Sequence, residues 1–361
     1  MRVPRLIAFV SAVALAGTAC ATSVSPTGVS PTPGPASTPT AAAGGAIPLV
    51  IDTDMAPDDI TAIASLLRDS RVEVLAITVV GTGEAHCPGG MLVARSVLQM
   101  LDAGPIPVTC GRQTPFGDAQ PFPDLWRSGA DTGNRLRLEQ PTSLPDPRAA
   151  ELLLSDTAQD VAASGRRLTI LTLGPLTNVA GALALDPTLP DHIRLVSMLG
   201  AVGVPGNVSP DGSAGAAPTA EWNAHADPTA VKLVLDAGFD LTLVALDATN
   251  DVPLTQDLFR ALETDHAAGP ADLVYELWSR NTFMTAGGSY LWDPLASGVV
   301  RDPSIVTTRT ATLRVVLGAG LDGGRLIEDP AGAVVSVATS ADRTAFESLL
   351  LAALRLGEPR A

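Results

Sequence analysis

The stretch Leu49-Val-Ile-Asp-Thr-Asp-Met-Ala-Pro-Asp-Asp-Ile-Thr-Ala-Ile-Ala-Ser-Leu-Leu67 decides the fold. The residues that lead into it, Ile47 to Ile51, are apolar and mostly branched, as a buried parallel strand requires. From Ile60 onward, Ile60, Ile63, Ala64 and Leu67 recur at helical spacing, and Pro57 suits the first turn of that helix. Between strand and helix sit four carboxylates, Asp52, Asp54, Asp58 and Asp59. In an open α/β sheet this turn lies at the carboxyl end of the strand, where such folds bind ligands. Acids so crowded must be protonated, neutralised by a cation, or splayed into water. A helix N-terminus welcomes Asp58 and Asp59. It leaves Asp52 and Asp54 without an explanation at the end of an apolar strand. Oxygen ligands without neighbouring Cys or His pairs select calcium or magnesium rather than zinc.

Working outward, the start of the chain reads as an export signal. Arg2 and Arg5 precede the apolar run Leu6 to Ala16, which is short for a membrane span. Gly17-Thr-Ala-Cys20 resembles a bacterial lipobox with Cys20 as the acylated residue, while Gly17 departs from the usual Leu and leaves simple secretion open. Residues 1–20 are thus expected to be a signal peptide. Residues 21–45, rich in Pro, Thr, Ser, Ala and Gly, are expected to be a flexible tether without a core. Residues 46–361 are expected to be the catalytic domain, anchored to the outer face of a bacterial membrane or secreted. The net charge of −15 excludes non-specific nucleic-acid binding, because phosphate contacts need clustered Lys and Arg. In an oxidising compartment Cys87 and Cys110 can pair, since both should follow neighbouring strands.

Strands and helices then alternate. Strands are expected at 72–80, 106–108, 168–173, 193–198 and 241–246, and helices at 91–101, 149–163, 221–236, 271–283 and 343–356. Residues 112–147, rich in Pro, Gly and Asp, read as a long excursion forming a lid or rim, and 200–217 as a flexible loop. The alternation predicts an α/β fold with an open, mostly parallel sheet and helices on both faces, a Rossmann-type core.

Five ordered blocks carry a resemblance. They are Asp52-Thr-Asp-Met-Ala-Pro-Asp-Asp59; Leu173-Gly-Pro-Leu-Thr-Asn178; Met198-Leu-Gly-Ala201 with Val204-Pro-Gly-Asn-Val208; Glu221-Trp-Asn223 with Asp227-Pro228; and Trp292-Asp-Pro294. Together they resemble the nucleoside hydrolases, the inosine-uridine-preferring superfamily, across nearly all of residues 47–355. The resemblance implies a calcium-dependent N-ribohydrolase, often a homodimer or homotetramer, acting on small ribonucleosides. Carried over by position, Asp54 matches the acid that touches the metal and acts as general base. Asp59, Asp293 and the backbone carbonyl of Leu173 match the other calcium ligands. Asp58 matches the acid that holds ribose hydroxyls, and Asn207, Glu221 and Asn223 match polar groups around the ribose. Asp52 matches a supporting acid. Asn178 reads as structural, and His225 as a core or helix-surface histidine rather than a ligand.

Three positions depart from that pattern. Met55-Ala56 replaces a usual Pro-Gly, and a positive φ at Ala56 would cost on the order of 1 kcal/mol. Gly81-Thr82 replaces a Gly-Asn whose Asn helps bind substrate, so Thr82 and the nearby Glu84 and His86 become the candidate polar groups. Trp292 stands where many members have a His acting as leaving-group acid. An indole cannot deliver a proton at neutral pH but can stack on a base, and the purine-preferring branch resembles this chain in having Trp there. The reading is hydrolysis of purine ribonucleosides to ribose and base, with Asp54, Asn207 and Trp292 in catalytic roles. The alternative is an exported riboside-binding lipoprotein without turnover.

Overall fold

A computed structural model describes residues 45–118, 120–209 and 219–355. The expected signal, Cys20 and all but the last residue of the tether lie outside these described residues. Nine strands form one sheet: β1 Ile47–Thr53, β2 Val72–Val79, β3 Val108–Cys110, β4 Leu168–Thr172, β5 Ile193–Ser197, β6 Asp240–Leu243, β7 Val306–Val315, β8 Leu326–Glu328 and β9 Ala333–Ala341. Their order is β3-β2-β1-β4-β5-β6-β9-β7-β8. From β3 to β9 neighbours are parallel; β7 runs antiparallel to both β9 and β8.

The chain leaves β1 toward β2 and β3, then returns to lay β4 on the other side of β1. The carboxyl ends of β1 and β4 therefore border the point where the winding reverses, and a crevice opens there. Alternation along β1 fills both faces. Leu49 and Ile51 enter one apolar layer with Ile60 and Ile63, while Val50 enters the other with Leu153 and Val179. Strand residues buried on both sides read as a continuous apolar run, which is why β1 was visible in sequence.

Several boundaries differ from expectation for local reasons. The helix expected from Met91 spans Cys87–Met100, because Pro88 fits its first turn. β3 runs over Val108–Cys110 rather than 106–108, since Pro107 has no N–H to give the ladder. The helix expected over 221–236 is two, Trp222–Ala226 and Pro228–Asp236, broken at Asp227, which the following proline keeps out of helical geometry (φ −148°). The helix expected over 271–283 ends at Arg280, with a short turn Thr282–Thr285 after it. The excursion contains a helix, Asp124–Ala130. The antiparallel β7–β8–β9 edge was not among the expected strands; β7 is exposed from Thr307 to Thr310 and alternates only from Ala311 to Val315. Cys87 and Cys110 form a disulfide with Cα atoms 5.6 Å apart, joining the start of a helix to the end of β3. Among the described residues, no helix is long and apolar enough to cross a membrane.

Candidate active site

Two helices aim their amino ends at the crevice. One, Pro57–Leu66, carries Asp58 and Asp59 in its first turn; the other, Trp292–Arg301, carries Asp293 in its own. They run side by side in the same sense, and the hydroxyls of Ser65 and Ser297 meet at 3.2 Å between them. Their dipoles direct partial positive charge at the same point. Asp58, Asp59 and Asp293 there bring carboxylate oxygens within 4.8 Å of one another.

Asp59 is fully buried, and its two oxygens are treated differently. Oδ1 accepts from the Asp54 N–H at 3.1 Å, from the Met55 N–H at 3.3 Å and from the Thr53 hydroxyl. Oδ2 is buried with no partner among the described residues. An orphaned carboxylate oxygen facing two further carboxylates fits a hard cation. Asp54 stands beside this group, its Oδ2 accepting from the Glu84 N–H at 3.0 Å. A Cβ added to Gly83 would lie 2.2 Å from the Cβ of Asp54, and one on Gly174 would lie 2.9 Å from it, so both glycines are needed for the loops to close on this carboxylate.

The protonation equilibria show how costly the cluster is. Burial, then the charges of the neighbouring acids, push Asp58 and Asp59 from an ordinary 3.8 up to about 7. Burial and the charge of Asp59 raise Asp54 and Asp293 well above the carboxylate range. Glu84 is raised by burial and by Asp54 and Asp58, with Arg127 opposing. A cation at the site removes the repulsion all five share.

Other sequence-selected residues fall into place around this centre. The Leu173 carbonyl ends β4 at the crevice and accepts from the Asn223 side-chain amide at 3.1 Å. Glu221 caps the helix Trp222–Ala226: Oε1 accepts from the Asn223 N–H at 2.8 Å, and Oε2 from the Gly200 N–H at 2.8 Å and the Ala224 N–H at 3.1 Å. Asn207 Oδ1 accepts from the Trp222 N–H at 3.1 Å. Asp52 lies deeper, fully buried, its Oδ1 accepting from Thr78 Oγ1 at 2.5 Å and Asn178 Nδ2 at 2.7 Å. His225 is a core histidine whose Nδ1 lies 2.7 Å from the Gly323 carbonyl. Thr82 bonds Thr177 at 2.8 Å, and the His86 ring faces Asp131 at 2.7 Å with half its surface in solvent. The indole of Trp292 lies 5.6 Å from the ring of Tyr290, and its Nε1 is buried without a partner among the described residues.

The positive φ considered for Ala56 falls one residue earlier. The left-handed residue of the acidic turn is Met55 (φ 62°), while Ala56 is extended (φ −61°, ψ 169°) and pays no such cost. A left-handed conformation costs a non-glycine residue about 1–2 kcal/mol. A proline could not occupy this backbone at position 55, since its φ is fixed negative and it lacks the N–H that Met55 gives to Asp59. Sequence reading also missed an aromatic wall: Phe122 stacks on Trp222 at 5.2 Å, and Trp126 meets Trp222 edge-on at 5.4 Å. The available signal was Trp222 itself, lying between Glu221 and Asn223. Phe122 and Trp126 come from the excursion and carry no local motif.

A mostly parallel α/β sheet with an acidic, cation-ready site at its winding reversal defines a ligand-binding enzyme fold, and comparison with known proteins identifies the family. The profile described as inosine-uridine preferring nucleoside hydrolase matches residues 49–348, and the chain belongs to that family. That family makes it an N-ribohydrolase by class. The pyrimidine-specific ribonucleoside hydrolase RihB of Escherichia coli O157:H7 is 28% identical over 293 residues, covering 79% of this chain and 88% of that protein. The crystal structure of an inosine-uridine preferring nucleoside hydrolase from Bacillus anthracis superposes with a TM-score of 0.75 at 25% identity, covering 86% of this chain and 99% of the other. A purine-preferring ribonucleoside hydrolase from Gardnerella vaginalis shares the fold, with a TM-score of 0.71 at 23% identity over 85% of this chain and 98% of its own.

Proposed function

We propose that this protein is an exported, calcium-dependent hydrolase that cleaves the N-glycosidic bond of purine ribonucleosides, releasing ribose and free base. The observation that carries the reading is the convergence of Asp58, Asp59 and Asp293, with Asp59 Oδ2 unpartnered and Asp54 alongside. Asp59, Asp293, Asp54 and the Leu173 carbonyl would hold the ion. A bound calcium ion supplies positive charge that offsets the carboxylates and acidifies water within its reach. Asp54, oriented by the Glu84 N–H, accepts the proton of the attacking water. Asp58, half-buried at the mouth of the cluster, takes the ribose hydroxyls. The amides of Asn207 and Asn223 flank the sugar, where their oxygens stabilise positive charge that builds on the ring as the bond to the base breaks. Glu221 holds this wall in place as a helix cap. Thr82 and His86 sit on the loop that closes over Asp54. Trp292 offers an aromatic face to the departing base, which favours a purine.

Export rests on residues 1–20 and acylation on Cys20, which would place the enzyme on the outer cell surface through a lipid anchor, as a homodimer or homotetramer. The deciding experiment is hydrolysis of a nucleoside panel with calcium, repeated after chelation. Inosine or guanosine turnover that disappears on chelation and returns with calcium is the expected result. Undiminished turnover in chelator would refute the metal role, and faster cleavage of uridine or cytidine would refute the purine preference.

A further inference from the structure

The excursion between β3 and β4 is fastened over the site. Arg127 Nη2 donates to the Gly81 carbonyl at 3.0 Å, and Asp131 accepts from the His86 N–H at 2.6 Å. The third fastening reaches the acidic turn: Asn134 Nδ2 donates to the Met55 carbonyl at 3.1 Å. Met55 is the left-handed residue between Asp54 and Asp58, and its two flanking peptide planes are held by different partners. The plane before it is fixed through its N–H, which goes to Thr53 Oγ1 at 3.1 Å and Asp59 Oδ1 at 3.3 Å. The plane after it is fixed through its carbonyl by Asn134 and, on its other edge, through the Ala56 N–H by the Asp54 carboxylate. Asn134 is itself buried, 7% exposed, and its own carbonyl accepts from Asn281 Nδ2 at 2.6 Å. Asn281 follows the helix Gly269–Arg280 and precedes the segment that brings in Trp292 and Asp293. One residue thus connects the two stretches that supply the carboxylates, reaching one through its side chain and the other through its backbone carbonyl.

We infer that Asn134 is a positioning residue for the acidic turn: its amide holds the Met55 carbonyl, keeps Met55 left-handed, and so sets Asp54 and Asp59 toward the cation and the attacking water. Sparsely populated backbone conformations persist only where their surroundings over-determine them. Without the amide, the peptide after Met55 keeps only the Ala56 N–H, given to the Asp54 carboxylate, to oppose its rotation; Met55 can then relax toward negative φ, and its N–H swings away from Asp59 Oδ1. The roles of Asp54 and Asp59 rest on the function proposed above; the hold on the backbone does not.

Asn134 is itself left-handed (φ 53°), so a plain turn-forming role for asparagine competes with this one. Asn134→Gly separates them, because glycine keeps the conformation and removes only the amide. Asn134→Asp is the second variant, keeping the shape but accepting where a donor is required. Hydrogen exchange on the metal-free full chain reads the amides of Asp54 and Met55, with β4 as the internal reference for folding. Both variants are expected to exchange these amides about tenfold faster or more, with β4 unchanged, and to bind calcium about 10–100-fold more weakly by calorimetry, the range seen when residues supporting metal ligands are removed. Turnover should fall mainly in kcat. Exchange of Asp54 and Met55 in Asn134→Gly within twofold of wild type would overturn the inference. Wild-type protein that hydrolysed no nucleoside would refute the proposed function instead, and the exchange measurement would still decide Asn134.

Discussion

Two buried charge clusters sit at opposite ends of the same pair of helices. At the amino ends, Asp58, Asp59 and Asp293 meet with Asp54 and no cation among the described residues placed against them. Beyond the carboxyl ends, Asp69 accepts from the Arg71 backbone N–H at 2.9 Å and from its guanidinium at 2.6 Å, while Arg301, the last residue of its helix, lies 3.6 Å away. Asp69 and Asp59 are equally hidden, 2% and 0% exposed. Burial drives both toward the neutral form. For Asp69 the hydrogen bonds and charges of Arg71 and Arg301 win and hold it below the ordinary range, whereas Asp59 rises to about 7. A structural cluster carries its own countercharge; one left without it is built for something that arrives from outside.

The largest expected effect comes from breaking the acidic end. Asp59→Asn and Asp293→Ala should each lower kcat by about 10³, or ~4 kcal/mol of barrier, and abolish stabilisation by calcium. The metal-free variants should be no less stable than wild type, because a like charge has been removed. A variant that lost stability in chelator yet kept calcium-dependent turnover would reverse the roles given to the two clusters. At the other end, Asp69→Ala leaves Arg301 buried and unpaired, and should cost about 3–5 kcal/mol of stability in a denaturant melt. Its kcat and KM at low temperature should stay near wild type.

Opposite pH dependences sharpen the same contrast. Asp52, Asp58 and Asp59 fold with pKa values raised from 3.8 to about 7, so the metal-free native chain holds protons that the unfolded chain releases. That stability is complete below about pH 4 and lost as the pH rises toward about 7. Asp69, with its pKa lowered, contributes in the opposite sense: its part is present above 3.8 and lost as the pH falls through its folded value. Thermal melts in chelator should therefore weaken from pH 5 to pH 8, and calcium should reverse the trend, since ion binding displaces protons from the acids. A flat profile in chelator would mean the acids are already compensated.

The smallest effect tests the leaving-group wall. Trp292→Ala should cost inosine about 0.5–1.5 kcal/mol more than p-nitrophenyl riboside, whose leaving group needs no help from stacking. Equal losses would make Trp292 a packing residue.

Sequence alone determined whatever is local. β1 is a branched apolar run, and helix Pro57–Leu66 shows its period and its proline within a single window. The acids between them are adjacent in the chain, so their crowding needed no fold to be seen. Ordered blocks further along linked Leu173, Asn207, Glu221, Asn223 and Asp293 to the same chemistry only through resemblance, because the separations between them carry no geometry. Tertiary structure alone decided which residue is left-handed, since φ at Met55 is set by Thr53, Asp59 and Asn134 rather than by its own side chain. It also decided that Phe122, Trp126, Arg127 and Asn134 belong beside the site: an excursion rich in Pro and Gly has no periodicity to say where it lands. The antiparallel β7–β8–β9 edge was hidden for a related reason, because a strand is stabilised by partners distant in sequence, and pairing leaves little mark on any one of them.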